Sequence, residues 1–317
     1  MAADNNNAGS MVSNHDTVLS RRHPMANITP GHSIALRCLG NVEGPRFLDG
    51  RTGNGTVGLA PNLNPPFSGA RWVVADAGTP GHVILACAGD VDGPRLLDGR
   101  TGNGTVGLAP NLNPPFSGTR WQVSDDGHNA TLLKCLGNVE GARFLDGRTG
   151  NGTVGLAAAT TPPFTGTHWE VQDFGPVPSE VRFDVDSITF GGGVPVGGFA
   201  HLVLRSNGSY TFSGHFHDSG ATEHNVGIVW GVKDLASRVY TFHQSGHVSG
   251  TFEPGSREFD FNVDSQNSAI AQNWPFLALA ARSTLQASAT LDLVNLTNSV
   301  IGALGLATGV IGVIAIL

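Results

Sequence analysis

Two hydrophobic rhythms divide this chain. Across residues 181–275 apolar and polar positions alternate every second residue, the period of a strand with one buried face. VRFDVD places Val181, Phe183 and Val185 on one side. HLVLRSNGSYTFSGHFH reads as a hairpin. With a three-residue turn Ser206-Asn207-Gly208, Leu202 and Leu204 face Phe212 and Tyr210, while His201, Val203 and Arg205 face Ser213, Thr211 and Ser209. A two-residue turn would mix the faces. VYTFHQSGHVSGTF predicts a second hairpin, turning at Gln244-Ser245-Gly246 and pairing Phe242 with Val248 and His243 with His247. Strands VGIVWGV and EFDFNV extend the meander, so 181–275 is expected to form an antiparallel β-barrel or sandwich.

Residues 31–175 have a shorter rhythm, and it occurs three times. The segments Cys38–Trp72, Cys87–Trp121 and Cys135–Trp169 are near copies, and LDGRTGNGTVGLAPNLNPPFSG at 48–69 returns unchanged at 97–118. Each copy reads as an apolar strand ending at Cys, a turn such as GNVEGP, the segment RFLDGRT, a turn at GNG, the strand TVGLA, a Pro-rich loop and a strand containing Trp. That is four strands per copy. Copies that cannot bury their own apolar faces must share a core. Three four-stranded units closing about a pseudo-threefold axis predict a β-trefoil. Each Cys lies on the apolar face of its strand and each Trp has Val two places later, which suits core positions.

After Trp274 the alternation stops. Residues 276–317 are Ala- and Leu-rich and read as a helical tail. The stretch 296–317 carries no charge, and as a helix it would span about 33 Å, enough to cross a hydrocarbon core. Gly302, Gly305, Gly309 and Gly312 fall on one stripe of that helix, the close-packing pattern of membrane helices. Membrane contact through 296–317 is the expectation, with burial on the protein or homo-oligomerisation as the alternative. Residues 1–30 are polar and Asn-rich, which predicts a disordered tail without a secretory signal. A cytoplasmic protein, or one released without a signal peptide, follows.

Composition narrows the class. The net charge of −7 offers no basic footprint, so nucleic acid is not an expected partner. Gly is abundant, with 44 residues, which favours tight turns over long helices. Three well-separated Cys do not make a disulfide framework.

The triplication, the four-strand spacing and the Trp closing each copy resemble the β-trefoil lectin superfamily, which includes the ricin-B-like lectins. The resemblance covers 31–175. It departs from the ricin-type pattern two residues before each Trp, where Ala70, Thr119 and Thr167 stand in place of Gln. It implies a non-enzymatic, multivalent carbohydrate-binding protein whose partners are glycans or glycoconjugates and which needs no cofactor. The second half would then serve a membrane-associated, pore-forming or defence role.

The repeated turn supplies the candidate site: Asp49, Arg51 and Asn54, then Asp98, Arg100 and Asn103, then Asp146, Arg148 and Asn151. Together they offer donors and acceptors to sugar hydroxyls. The plainer reading is that Asp and Arg brace the hairpin and Asn-Gly is only its turn. In the third copy PNLNPPFSG becomes AATTPPFTG, so a site using Asn62, Asn64, Asn111 or Asn113 would be missing there. Two rival functions stay open. One is a metal-dependent enzyme built on the His-rich face, with His215, His217, His243 and His247 as candidate ligands. The other is a trefoil protease inhibitor or interaction scaffold.

Overall fold

A computed structural model describes residues 28–279, 282–305 and 313–316. The fold is all-β. The first copy supplies β1 (His32–Cys38), β2 (Phe47–Arg51), β3 (Thr56–Ala60) and β4 (Trp72–Asp76). The second supplies β5 (His82–Cys87), β6 (Leu96–Arg100), β7 (Thr105–Ala109) and β8 (Trp121–Asp125). The third supplies β9 (Thr131–Cys135), β10 (Phe144–Arg148), β11 (Thr153–Ala157) and β12 (Trp169–Pro176).

These strands close on themselves. Antiparallel pairings run β11-β3-β2-β1-β12-β9-β8-β5-β6-β7 and return to β11, a closed barrel of ten strands, with β4 and β10 paired alongside. The pairings repeat with the sequence. Trp72 lies opposite Cys87, Trp121 opposite Cys135 and Trp169 opposite Cys38, so each copy ends on the strand that opens the next, and the last ends on the first. At one end the three hairpins interlock through Leu59 N–H to Gly152 O, Leu108 N–H to Gly55 O and Leu156 N–H to Gly104 O, at 2.9, 2.9 and 2.8 Å.

Packing explains the repeated residues. All three Trp are fully buried, and their indole N–H groups donate to the carbonyls of Leu48, Leu97 and Leu145 at 2.9 to 3.0 Å. The Cys thiols are free and buried, each donating to a glycine carbonyl of the preceding copy in the ring: Cys38 to Gly147, Cys87 to Gly50 and Cys135 to Gly99. A Cβ on Gly50 would sit 2.7 Å from Cys87 Sγ, which is why LDGR needs Gly there.

The chain continues into β13 (Glu180–Thr189), β14 (Val196–Arg205), β15 (Ser209–Asp218), β16 (His224–Lys233), β17 (Val239–Val248) and β18 (Glu258–Gln266). Two short helices follow, α1 (Ser268–Gln272) and α2 (Trp274–Leu277), then β19 (Arg282–Ser288), α3 (Leu293–Ala303) and β20 (Val313–Ile316). Two four-stranded sheets result, β13-β14-β15-β18 and β19-β16-β17-β20. They pack face to face through Tyr210 and Phe212 against Trp230 and Phe242. The same core takes in Val73, Ala75, Ile84 and Ala86 from the repeat half, so the two halves share apolar surface.

The hairpin around Ser206-Asn207-Gly208 has the expected register, with Leu204 opposite Tyr210 and Leu202 opposite Phe212. The second expected hairpin does not form. β17 runs unbroken through Gln244-Ser245-Gly246 and pairs along its length with β16. Gly246 is there for space: a Cβ would lie 2.3 Å from the Phe259 ring.

The tail also differs from expectation. Arg282–Ser288 is a strand, not a helix, and α3 ends at Ala303, with Gly305 at φ +76°. Val313–Ile316 pairs in parallel with β17, so 296–317 is not one continuous helix. No helix among the described residues is long and apolar enough to cross a membrane. Among the described residues nothing lies within 4 Å of a Cβ built on Gly302 or Gly305, so the glycine stripe makes no close packing with them there, and Gly309 and Gly312 lie outside the described residues. Instead α3 covers the outer face of β16 and β17, packing Leu296, Val300 and Leu304 on Val229 and Val239. Most of the expected N-terminal tail, residues 1–27, also lies outside the described residues.

Candidate functional site

The Asp-Arg-Asn turns lie at the seams between copies. Asp98, Arg100 and Asn103 line a shallow cleft of about 260 Å³ with Ser117 of their own copy and Asn138 and Val139 of the third. Asp146, Arg148 and Asn151 line its counterpart of about 270 Å³ with Thr165, and with Asn41 and Val42 of the first copy. Asp49, Arg51 and Asn54 hold the matching positions at the remaining seam, where Asp90 and Val91 stand in place of Asn and Val.

Within each turn the three side chains have unlike duties. Asp49, Asp98 and Asp146 are buried, with Arg51, Arg100 and Arg148 about half exposed beside them at 3.7 to 3.8 Å. Burial pushes these carboxyls above the usual Asp range, partly offset by the adjacent guanidinium. Asn54, Asn103 and Asn151 each accept from the amide and hydroxyl of the Thr two places on, at 3.1 and 2.7 Å. This is an Asx turn, and the following Gly55, Gly104 and Gly152 take the left-handed φ of +71° to +72° that closes it. The Asn residues therefore shape the hairpin and leave only their amide nitrogens for a ligand.

Sequence reasoning missed the clamp across each seam. Arg46, Arg95 and Arg143 donate to the carbonyls of the Cys-to-Val turn, and Thr52, Thr101 and Thr149 donate at 2.6 Å to the carbonyls of Val91, Val139 and Val42. The signal was present, since these residues repeat at fixed positions. Val42, Val91 and Val139 stay more than half exposed and give each seam an apolar lip.

The Asn loops are used unequally. Asn111 and Asn113 line a hollow of about 520 Å³ against Lys233 and Arg238 of the second half, and Asn64 lines one of about 610 Å³ that reaches Phe174 and Leu279. The altered loop of the third copy lines neither.

The His-rich face is split between sheets. His201, His215 and His217 lie on β14 and β15, held by carboxylates: His201 Nδ1 lies 2.6 Å from Asp184, His215 Nδ1 2.8 Å from Asp260 and His217 Nδ1 2.6 Å from Glu258. His243 and His247 are on β17 in the opposite sheet, where His247 meets Asn225 and Glu223. The four candidate ligands do not converge. Among the described residues no group of three His, Cys, Asp or Glu is disposed to hold a metal ion.

No known family profile matches this chain, and no curated protein matches it. Among solved structures, that of Cry35Ab1 aligns over 88% of this chain and 97% of its own at 10% identity, with a TM-score of 0.34. The resemblance to the β-trefoil lectin superfamily is not upheld: no profile supports it, and that structural likeness is too remote to do so. The reason is physical. A Trp per copy and a glycine-rich turn are demanded by closing and filling this barrel, so they report its core and not a lectin lineage.

Proposed function

We propose that the repeat half is a non-enzymatic, multivalent binding module for saccharides, arranged as a β-trefoil. The recurrence of its strand pairings with the triplicated sequence supports the trefoil arrangement. The observation that carries the functional reading is the recurrence of one shallow polar cleft, with an Arg, an Asn and an apolar Val lip, at successive seams. Open clefts of this size suit one or two sugar units, with hydroxyls on the polar wall and the C–H face on valine. Each contact is weak, and repetition on a rigid body converts weak contacts into avidity on a crowded surface. Membrane association, on this reading, runs through surface glycans and needs no inserted helix.

Glycan-array binding of the intact chain tests the reading. Arg51→Ala, Arg100→Ala and Arg148→Ala together are expected to abolish retention on bound glycans while the thermal midpoint stays within a few degrees. Undiminished retention would place the binding surface elsewhere.

A further inference from the structure

A folded turn uses most of its polar atoms internally, and those left over decide what a ligand must bring. At the seam between the second and third copies the side-chain oxygens of Asp98, Asn103 and Asn138 are each engaged within the protein. Asp98 is buried, takes the Gly118 amide and lies beside Arg100. Asn103 Oδ1 accepts twice from Thr105. Asn138 Oδ1 accepts from the Ser117 hydroxyl at 2.6 Å, and that hydroxyl accepts the Asn138 amide N–H at 3.3 Å, which orients the side-chain amide. Among the side chains lining the cleft, the half-exposed Arg100 guanidinium and the amide nitrogens of Asn103 and Asn138 are the donors left over.

The seam between the third and first copies repeats this arrangement. Asn151 Oδ1 is taken by Thr153, and Asn41 Oδ1 accepts from the Thr165 hydroxyl at 2.8 Å. Arg148 and two amide nitrogens remain. Glu43 and Glu140, two residues further along the turns, do not line these clefts. The seam between the first and second copies breaks the pattern. There Ser68 accepts only the Asp90 backbone N–H, at 3.2 Å, and among the described residues the Asp90 carboxylate has no hydrogen-bond partner. Asp90 is exposed and holds the sequence position that Asn41 and Asn138 hold in the other turns, and it also borders the hollow lined by Asn64 and Arg71.

We propose that the two Asn-bearing clefts bind the oxyanion of an acidic saccharide, a carboxylate or a sulfate, and that Asp90 excludes it from the third seam. This rests on the saccharide reading of the same seams and refines it. A guanidinium flanked by amide N–H groups matches the planar or tetrahedral oxygens of such a group. The exposed Asp90 carboxylate, at the turn position that Asn holds in the other two copies, repels it. The triplicated module is thus bivalent for acidic ligands.

Titration calorimetry of the full chain tests this with four probes: a carboxylated disaccharide, a sulfated one, their neutral parent and inorganic sulfate. Binding of an acidic disaccharide at about two equivalents per chain is expected, weakened about tenfold or more by Arg100→Ala with Arg148→Ala, and raised to about three equivalents by Asp90→Asn. The acidic arm that binds more tightly identifies the group. Neutral and acidic sugars binding equally would overturn the oxyanion proposal and leave the saccharide reading standing. Unchanged stoichiometry in Asp90→Asn would overturn the role given to Asp90. Binding of inorganic sulfate alone, with Asp90→Asn adding a site, would keep the oxyanion site and remove the saccharide. Silence from every probe would overturn both.

Discussion

Lys233 ties three parts of the molecule together, and its removal should be costly. Its side chain is only 8% exposed. Nζ donates to both carboxylate oxygens of Asp92 in the repeat half, at 3.0 and 3.1 Å, and to the Leu304 carbonyl at the end of α3, at 3.0 Å. Lys233→Met keeps the aliphatic stem and deletes the charge. Removing one partner of a buried pair costs about 3–5 kcal/mol when the other stays buried and unpaired. Asp92 is partly exposed and keeps Arg282 at 3.5 Å, so about 2–3 kcal/mol is expected. Asp92→Asn keeps an acceptor and should cost about 1–2 kcal/mol. Because both changes delete one contact, the double variant should fall short of additivity by about 1–2 kcal/mol. Urea unfolding followed by Trp fluorescence measures all three. Costs that add within about 0.3 kcal/mol would show that the pair contributes nothing and refute the reasoning. The pH dependence carries a matching signature. Burial pushes the Asp92 carboxyl up, but the hydrogen bond and charge of Lys233, with Arg282, outweigh it and hold the carboxyl below its ordinary value. A depressed carboxyl stabilises the fold above its unfolded pKa of about 4 and loses that stabilisation as pH falls through the folded value. The wild type should therefore lose stability below about pH 4 more steeply than Asp92→Asn.

Gly231→Ala should destabilise by about 1–3 kcal/mol and loosen α3, since the new Cβ would lie 2.3 Å from Val300 Cγ1, and hydrogen exchange in 293–303 reads the loosening. Trp121→Phe loses the bond to the Leu97 carbonyl and leaves a void, expected at about 2–4 kcal/mol by chemical denaturation. Burial pushes the Cys87 thiol up to about 11, so thiol labelling at pH 8 should proceed only through unfolding and accelerate in urea with the unfolding transition.

The parts legible in sequence were those where one local rule decides the outcome. Four short strands per copy and a shared core were readable because three near copies had to bury their apolar faces on one another, whereas the pairing of each Trp with the next copy's Cys strand came only from the structure. Alternation gave the register across Ser206–Gly208, since any other register mixes Leu202 with polar neighbours. The failures share a cause. Gly246 and Gly305 were read by their local habit, turn-making and helix packing, but tertiary context assigns them differently. Gly246 clears the Phe259 ring, and Gly305 lets α3 stop. At the seams the Asp-Arg-Asn turn was visible, but Asn41 and Asn138 were not, because they reach the site from the adjacent copy and no spacing along the chain announces it.

Among the described residues, closure of the repeat half leaves no strand edge on the ring, whereas β13, β18, β19 and β20 are the outer strands of the two four-stranded sheets. An open edge invites another chain to add a strand. Two of these edges carry their own deterrent: β13 has Glu180, Arg182, Asp184 and Asp186, and β18 has Glu258, Asp260 and Asp264. A stranger docking there must accommodate a row of charges. The opposite sheet has no comparable row on β19 (RSTLQAS), whose only charge is Arg282. If this protein aggregates through strand addition, β19 and the wholly uncharged β20 (VIAI) are where the sheet is least guarded, and added charge on those strands is the change that would keep it in solution.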